Sequence, residues 1–193
     1  MNYKFLPVTI KSMFLNPGKA WDIITSENIS TADLRNGFLI PVTILVSISA
    51  YGGSILFVNS ELPAGYSVLT AIRCFITIYL SIIATALILS EITSRLGLGK
   101  NPSVSFRLVI FSSAPFLACQ LLSRLFESLQ FINILAFFGL YIFWIGAEKL
   151  LDPPHDKKMP LLIGTTVTML AFYTITSILM TKIIDKIYYS MFA

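Results

Sequence analysis

Residues 36–60 read NGFLIPVTILVSISAYGGSILFVNS, and none of these side chains is an Asp, Glu, Lys or Arg. A helix needs about 20 predominantly apolar residues to cross the roughly 30 Å of hydrocarbon in a bilayer, so this stretch can span one unaided. Four further stretches are free of charged side chains, at residues 74–90, 108–123, 128–147 and 159–181. Arg73, Arg107 and Arg124 flank the two shorter stretches, and their side chains can extend to the membrane surface. The pattern therefore predicts five membrane-spanning helices.

The overall composition also places this chain in a membrane. Its residues are 55% hydrophobic and its mean hydropathy is +0.79, and a domain this apolar would aggregate in water. The net charge is +4, but Lys and Arg lie between the apolar stretches and do not cluster along one groove or helix, so we expect no nucleic-acid partner. We predict an all-α polytopic membrane protein, a bundle of five transmembrane helices.

The chain divides into two regions. Residues 1–35 form an amphipathic segment, whose apolar face we expect to include Phe5, Leu6, Ile10, Met13 and Phe14. This segment either lies along the inner membrane surface or packs as a cap under the helical bundle. The five-helix domain covers residues 36–190. Its spans are predicted at about 36–58, 68–95, 103–125, 128–149 and 159–182.

Several residues are typical of helix ends. Ser30 and Asp33 are spaced as a capping box before the first span, and Asn101 followed by proline predicts the start of the third. Gly97 is suited to end the second span in a left-handed conformation. Pro115 lies in the middle of the third span, where the missing backbone N–H should kink the helix.

Positive charge predicts the orientation. With the N-terminus inside, only Arg73, Arg124, Lys182 and Lys186 of the 14 Lys and Arg residues lie outside. Cytoplasmic loops of membrane proteins carry the excess of Lys and Arg. We therefore predict a cytoplasmic N-terminus and a C-terminus on the opposite side.

Ionisable residues near the membrane edges are candidates for ligand binding. The group expected at the cytoplasmic end comprises Glu91, Arg95, Arg107 and Glu148. The group expected at the outer end comprises Arg73, Gln120, Arg124 and Glu127. Either group can bind a lipid headgroup or another anionic ligand, and the alternative is that these charges only fix the helix ends.

Rows of small and hydroxyl-bearing side chains occur at helical spacing in three spans. They are Thr43, Ser47, Ala50 and Ser54 in the first span, Thr77, Ser81 and Thr85 in the second, and Thr174, Ser177 and Thr181 in the fifth. They suit close packing between helices, with hydroxyls bonded to the preceding turn. The alternative is a polar pathway for a solute.

The sequence offers no pattern of catalytic groups. His155 is the single histidine, which excludes a metal site built from several histidines. Ser112 and Ser113 lack the glycine framing of a nucleophile elbow. Cys74 and Cys119 lie inside apolar stretches without a CxxC spacing, and we expect them to be unreactive. We therefore expect no catalytic residues, no metal and no cofactor.

Two stretches resemble the Yip-domain family of integral membrane proteins. Residues 111–116 (FSSAPF) and residues 138–143 (FGLYIF), the latter followed by Gly146, resemble the third and fourth spans of its bacterial members. Residues 15–23 (LNPGKAWDI) resemble the opening these members carry before their first span. The positions that carry the resemblance are Pro17, Trp21, Ser112, Pro115, Gly139, Tyr141 and Gly146.

The resemblance implies a five-span bundle with a cytoplasmic N-terminus, here in a bacterial inner (plasma) membrane. Eukaryotic relatives bind small GTPases of the Rab class, but this chain lacks their long polar N-terminal region and their Asp-Leu-Tyr-Gly-Pro type motif. We therefore expect a non-enzymatic membrane protein that organises or binds a protein or lipid partner. Membrane lipids are the first expected partner, followed by another protein or a second copy of the chain. The alternative function is a small-solute transporter or channel.

Overall fold

The computed structural model describes residues 11–27, 29–57 and 64–192. All regular secondary structure in these residues is helical, which confirms the predicted all-α class. The elements after a short helical stretch at residues 11–15 are α1 (Pro17–Ser26), α2 (Thr31–Leu34), a π-helical turn (Arg35–Leu39), α3 (Ile40–Phe57), α4 (Ala64–Arg95), α5 (Pro102–Ser112), α6 (Ala114–Leu125), a 3-10 segment (Glu127–Phe137), α7 (Phe138–Leu151) and α8 (His155–Phe192).

Helices of membrane-spanning length dominate the described residues. Four are long and apolar enough to cross a bilayer, and they cover Thr31–Leu56, Gly65–Arg95, Glu127–Leu151 and His155–Ser190. A fifth crossing forms if α5 and α6, which meet at a bend of 41°, act as one broken span. The polytopic bundle is thus confirmed, with four to five candidate spans.

The bend between α5 and α6 lies where Pro115 predicts a kink. Ser113 separates the two helices, and Pro115 occupies the first turn of α6, where its missing N–H is tolerated. The Ser113 hydroxyl donates to the carbonyl oxygen of Ile110 at 2.8 Å. A re-entrant hairpin requires the chain to reverse direction, whereas a bend of 41° leaves α6 continuing away from α5.

Three predicted helix ends have the expected geometry. The Ser30 hydroxyl accepts from the backbone N–H of Asp33 at 3.0 Å. The Asn101 side chain accepts from the N–H of Val104 at 3.2 Å. Gly97 has φ of +72°, and the next N–H, that of Leu98, returns to the Thr93 carbonyl at 2.9 Å, as in a Schellman motif.

The N-terminal segment packs against the bundle. The apolar face of α1, which includes Ala20, Trp21 and Ile24, is completely buried and contacts α7. This packing agrees with the cap under the bundle, one of the two arrangements predicted for the segment. Met13 of its predicted apolar face is buried and Phe14 is partly exposed, whereas Phe5, Leu6 and Ile10 lie outside the described residues.

Helix α4 is the centre of the bundle. It packs along α8 and α3, and it also contacts α5. At its N-terminal end, Tyr66 meets Tyr188 of α8 with ring centroids 5.3 Å apart. Helices α7 and α8, although adjacent in sequence, contact each other much less than α4 contacts α8. This sparse contact leaves a gap on one side of the bundle.

Candidate functional site

The N-terminal and fourth-span positions singled out in the sequence meet in the fold. Trp21 is completely buried, and its indole Nε1 donates to the carbonyl oxygen of Ile142 in α7 at 2.9 Å. Gly146, one turn further along α7, lies directly against the Trp21 ring, and a Cβ at this glycine would overlap it. Trp21 and Gly146 therefore form one helix contact.

The third- and fourth-span positions meet in the same way. A Cβ added to Gly139 would lie 2.5 Å from the carbonyl oxygen of Ser112, so only glycine permits this approach of α7 to α5. Pro115 is buried beside the bend, whereas Tyr141 is 53% exposed. Pro17 is buried in the first turn of α1, after Asn16 caps the helix. Most of these positions are placed to pack helices together.

Two of the charged residues expected to gather at the end that carries α1 form ion pairs with lysines. Glu91 pairs with Lys100 at 2.8 Å, and Glu148 pairs with Lys158 at 2.7 Å. Both lysines lie outside the predicted group. Such exposed ion pairs add little to stability, because solvent screens their attraction.

The two arginines of that group have different surroundings. Arg107 donates to the carbonyl oxygen of Ile29 at 2.6 Å and so ties α5 to the link between α1 and α2. Arg95 is exposed. Glu91, Arg107 and Glu148 thus each have a partner outside the group, and a common ligand site of Glu91, Arg95, Arg107 and Glu148 stays a prediction.

The second predicted group is more compact. Arg124 donates from Nε to the side-chain oxygen of Gln120 at 3.1 Å and from a terminal nitrogen to the Tyr173 hydroxyl at 3.1 Å. Arg73 donates to the Thr181 hydroxyl at 3.3 Å. Both arginines line a small polar cavity of about 90 Å³, whereas Glu127 is exposed and does not line it.

Most hydroxyls of the three rows bond within their own helices. Thr43 and Ser47 of α3 donate to carbonyl oxygens one turn back at 2.7 and 2.8 Å. Ser81 and Thr85 of α4 do the same at 2.5 and 2.7 Å, as does Thr181 of α8 at 2.8 Å. This arrangement is typical of helix packing and does not favour a continuous polar pathway.

A larger, mostly apolar cavity of about 260 Å³ lies beside the bend. Its walls come from the α5–α6 break, the 3-10 segment, α7 and α8, and they include Ser112, Gln120, Phe143 and Thr166. The gap between α7 and α8 forms part of it. Phe137 and Leu170 line the cavity and are 65% and 59% exposed, so they mark its opening on the apolar flank of the bundle.

A row of hydrogen-bonded polar side chains connects the linings of the two cavities. Asn133 of the 3-10 segment accepts from the Gln120 amide at 3.2 Å and from the Ser123 hydroxyl at 3.3 Å. Gln120 in turn accepts from Arg124, and Tyr173 lines both cavities. Sequence reasoning missed Asn133, although an amide within an otherwise apolar stretch was the available signal.

The described residues contain no group of three or more His, Cys, Asp or Glu side chains that could hold a metal ion. His155 begins α8, and the two cysteines are buried and free. Ser112 Oγ is buried without a hydrogen-bond partner in the part of the chain that the structure describes. The nearby Ser113 hydroxyl is bonded to its own helix. Neither serine therefore meets a base that would activate it.

Comparison with known families decides the classification, because residues 11–185 match the Yip1 domain. The chain belongs to the Yip1 domain family. The match covers nearly the whole chain, including the contacts of Trp21 with Gly146 and of Ser112 with Gly139. Membership agrees with an integral membrane protein. Searches of curated proteins and of solved structures found no match to this Yip1 domain.

Proposed function

We propose that this Yip1 domain is a non-enzymatic membrane component that binds the acyl chain of a lipid in the cavity beside the α5–α6 bend. The single observation that carries the proposal is the cavity of about 260 Å³, which is mostly apolar and opens between exposed apolar residues. A lipid acyl chain is the apolar molecule that surrounds this flank when the bundle lies in a bilayer.

The size and chemistry of the cavity suit hydrocarbon. An apolar protein cavity of about 150 Å³ is enough to admit benzene, so about 260 Å³ gives room for a longer stretch of chain. Phe143 is 4% exposed and lines the interior, whereas Phe137 and Leu170 flank the opening. An acyl chain can therefore pass from the bilayer to Phe143 without crossing a charged group.

The alternative function of a solute conduit has less support. A conduit needs polar groups that face an open path, but most hydroxyls of the predicted rows donate to their own helices. The large cavity also presents mainly apolar walls. These features favour retention of an apolar chain over passage of a polar solute.

The test uses the full chain in nanodiscs that contain a phospholipid with a photoactivatable acyl chain. We expect labelling of Phe143, which lines the cavity, and none of Phe111, which is completely buried elsewhere. Ala136→Phe fills the cavity and should abolish labelling of Phe143. Ala118→Phe adds the same volume at an exposed position outside the cavity and should leave labelling unchanged. Equal labelling of Phe143 in the wild type and Ala136→Phe would overturn the proposal.

We also propose that the chain lies in a bacterial inner membrane with residues 1–35 at the cytoplasmic surface. The distribution of Lys and Arg supports this orientation, and the bend of 41° supports counting α5 and α6 as one span. Reporter fusions test it. A fusion at the loop before His155 should report the cytoplasm and a fusion after Ala193 the opposite side. Two reports from the same side would contradict the proposed topology.

A further inference from the structure

We propose that Arg73 and Arg124 hold the phosphate group of an anionic ligand in the small polar cavity between α4, α6 and α8. The residues that line this arginine pocket include Arg73, Arg124, Thr77 and Ser177, and its volume is about 90 Å³. Since one water molecule takes up about 30 Å³ in the liquid, the pocket has room for a compact oxyanion.

The electrostatics of the arginine pocket favour an anion. Both arginines are half-buried. Within the described ranges, no Asp or Glu oxygen lies within 4.0 Å of Arg73 or Arg124. Each guanidinium has five N–H donors in a planar fork that matches phosphate geometry. Their hydrogen bonds to Thr181, Gln120 and Tyr173 leave most of these donors available.

A second observation at the same place is independent of the arginines. Thr77 is 4% exposed, and its Oγ1 has no hydrogen-bond partner within the described part of the chain. The next hydroxyls along α4, those of Ser81 and Thr85, donate to carbonyl oxygens one turn back. A buried hydroxyl without a partner is unfavourable by about 1–3 kcal/mol. Because Thr77 lines the arginine pocket, an anion there would supply the missing acceptor.

The protein holds the arginines in place before any ligand arrives. Gly53 of α3 lies against the backbone carbonyl of Arg124, which fixes the end of α6 close to α3. Gln120 and Tyr173 then orient the Arg124 side chain, and Thr181 orients that of Arg73. Groups that are already oriented lose less freedom on binding, so this arrangement suits a specific site.

The position of Arg73 along α4 agrees with the depth of lipid phosphates. The charge-free stretch from Cys74 to Ser90 is about 26 Å long at ~1.5 Å per residue, close to the hydrocarbon thickness of about 30 Å. Arg73 therefore marks one edge of the hydrocarbon, where headgroups begin. The phosphate can belong to a phospholipid or to a free ion, since both present the same oxygens.

This inference does not rest on the proposed acyl-chain binding, because a free phosphate ion would satisfy the same groups. The two are tested by different measurements. Labelling of Phe143 measures the entry of an acyl chain into the apolar cavity, and phosphate binding measures the occupation of the arginine pocket. If Phe143 is not labelled but phosphate binds, only the acyl-chain proposal fails. If phosphate does not bind but Phe143 is labelled, only the phosphate proposal fails.

The experiment uses the delipidated full chain in an uncharged maltoside detergent. One arm titrates sodium phosphate against sodium chloride at matched ionic strength and measures binding by calorimetry. The other arm adds phosphatidylglycerol, phosphatidylcholine or oleate, the last being an anionic lipid without phosphate, and counts retained lipids by native mass spectrometry. We expect binding in at least one arm, with phosphatidylglycerol retained in preference to oleate if the phosphate belongs to a lipid.

Two variants and one control decide the site. Arg73→Gln and Thr77→Val should each raise the Kd about tenfold or more, since each removes a hydrogen bond to a charged group. Arg95→Gln removes an exposed arginine from the other end of the same helix and should leave the Kd unchanged. Thr77→Val should not lower the thermal stability of the ligand-free protein, because its hydroxyl has no partner to lose. Absence of binding in both arms, or binding that ignores both variants, would overturn the proposal.

Discussion

The indole Nε1 of Trp21 donates a hydrogen bond of 2.9 Å to the carbonyl oxygen of Ile142, and this contact joins the N-terminal helix α1 to α7. The ring also packs edge-on against Phe111 of α5, with centroids 5.9 Å apart. One buried side chain therefore connects the segment before the first span with two helices of the bundle.

Trp21→Phe should destabilise the protein by about 1–3 kcal/mol, because it removes one buried hydrogen bond and part of a large buried ring. Thermal unfolding of the purified protein in detergent measures the effect. Tyr141→Phe alters a side chain that is 53% exposed and serves as the control, with an expected change within about 0.5 kcal/mol. Equal melting temperatures for Trp21→Phe and the wild type would contradict this role of the indole.

Gly146→Ala should destabilise the protein more than Gly164→Ala, a matched glycine substitution in α8. The new Cβ would overlap the Trp21 ring and would lie 2.7 Å from Leu108 Cδ1, so the cost of overpacking should be about 1–3 kcal/mol. Gly164→Ala places its Cβ 3.5 Å from Ile92 Cδ1, an ordinary contact, and should gain up to about 1 kcal/mol of helix propensity. Unfolding midpoints of the two variants should therefore move in opposite directions.

The adjacent glycines of α3 provide a matched pair at the other end of the bundle. A Cβ at Gly53 would overlap the carbonyl oxygen of Arg124, whereas one at Gly52 would lie 3.5 Å from Leu125 Cδ1. Gly53→Ala should therefore displace the end of α6 and destabilise the protein by about 1–3 kcal/mol. Gly52→Ala should be tolerated. If both variants unfold at the same temperature, α3 and α6 do not make this close approach.

Pro115→Ala should reduce the bend between α5 and α6, because alanine restores the backbone donor that a continuous helix needs. A straighter helix would change the walls of the apolar cavity and lower the acyl-probe labelling of Phe143. Pro41→Ala, at an exposed position in the first turn of α3, tests whether any proline loss has this effect. Unchanged labelling in Pro115→Ala would mean that packing, and not the proline, sets the bend.

The two cysteines should differ in reactivity although each is 5% exposed. Cys74 lines the arginine pocket, where positive charge attracts a small anionic thiol reagent such as a sulfonated methanethiosulfonate. Cys119 lies on α6 outside the pocket. Mass spectrometry of reagent time courses should show faster modification of Cys74 in the native protein and equal modification after denaturation. Faster modification of Cys119 would contradict access to the pocket.

Features set by neighbouring residues could be predicted from the sequence. The caps at Ser30 and Asn101 and the turn at Gly97 depend on local hydrogen bonds, and the bend lies next to Pro115, as predicted. The charge-free stretches likewise indicated the long apolar helices, because the thickness of hydrocarbon sets their length.

The sites depend on tertiary placement, and sequence reasoning reached them only in part. Arg73 and Arg124 were placed in one group from the sequence and line the same pocket, but Tyr173 and Thr77 enter it through the packing of α4 against α8. The apolar cavity arises from sparse contact between α7 and α8, which no spacing along the chain reveals. The ion pair of Glu91 with Lys100 was not predicted, because Lys100 reaches Glu91 from beyond the Gly97 turn.

The contact between Tyr66 and Tyr188 has a consequence for the shape of the protein outside the bilayer. With Arg73 at the hydrocarbon edge, the first turns of α4 and the last turns of α8 continue for about 14–16 Å at ~1.5 Å per residue. The edge-to-face contact of the two tyrosines braces these helix ends near their tip, so we expect them to form a paired helical stalk. A fusion partner joined to the C-terminus would consequently stand clear of the lipid surface.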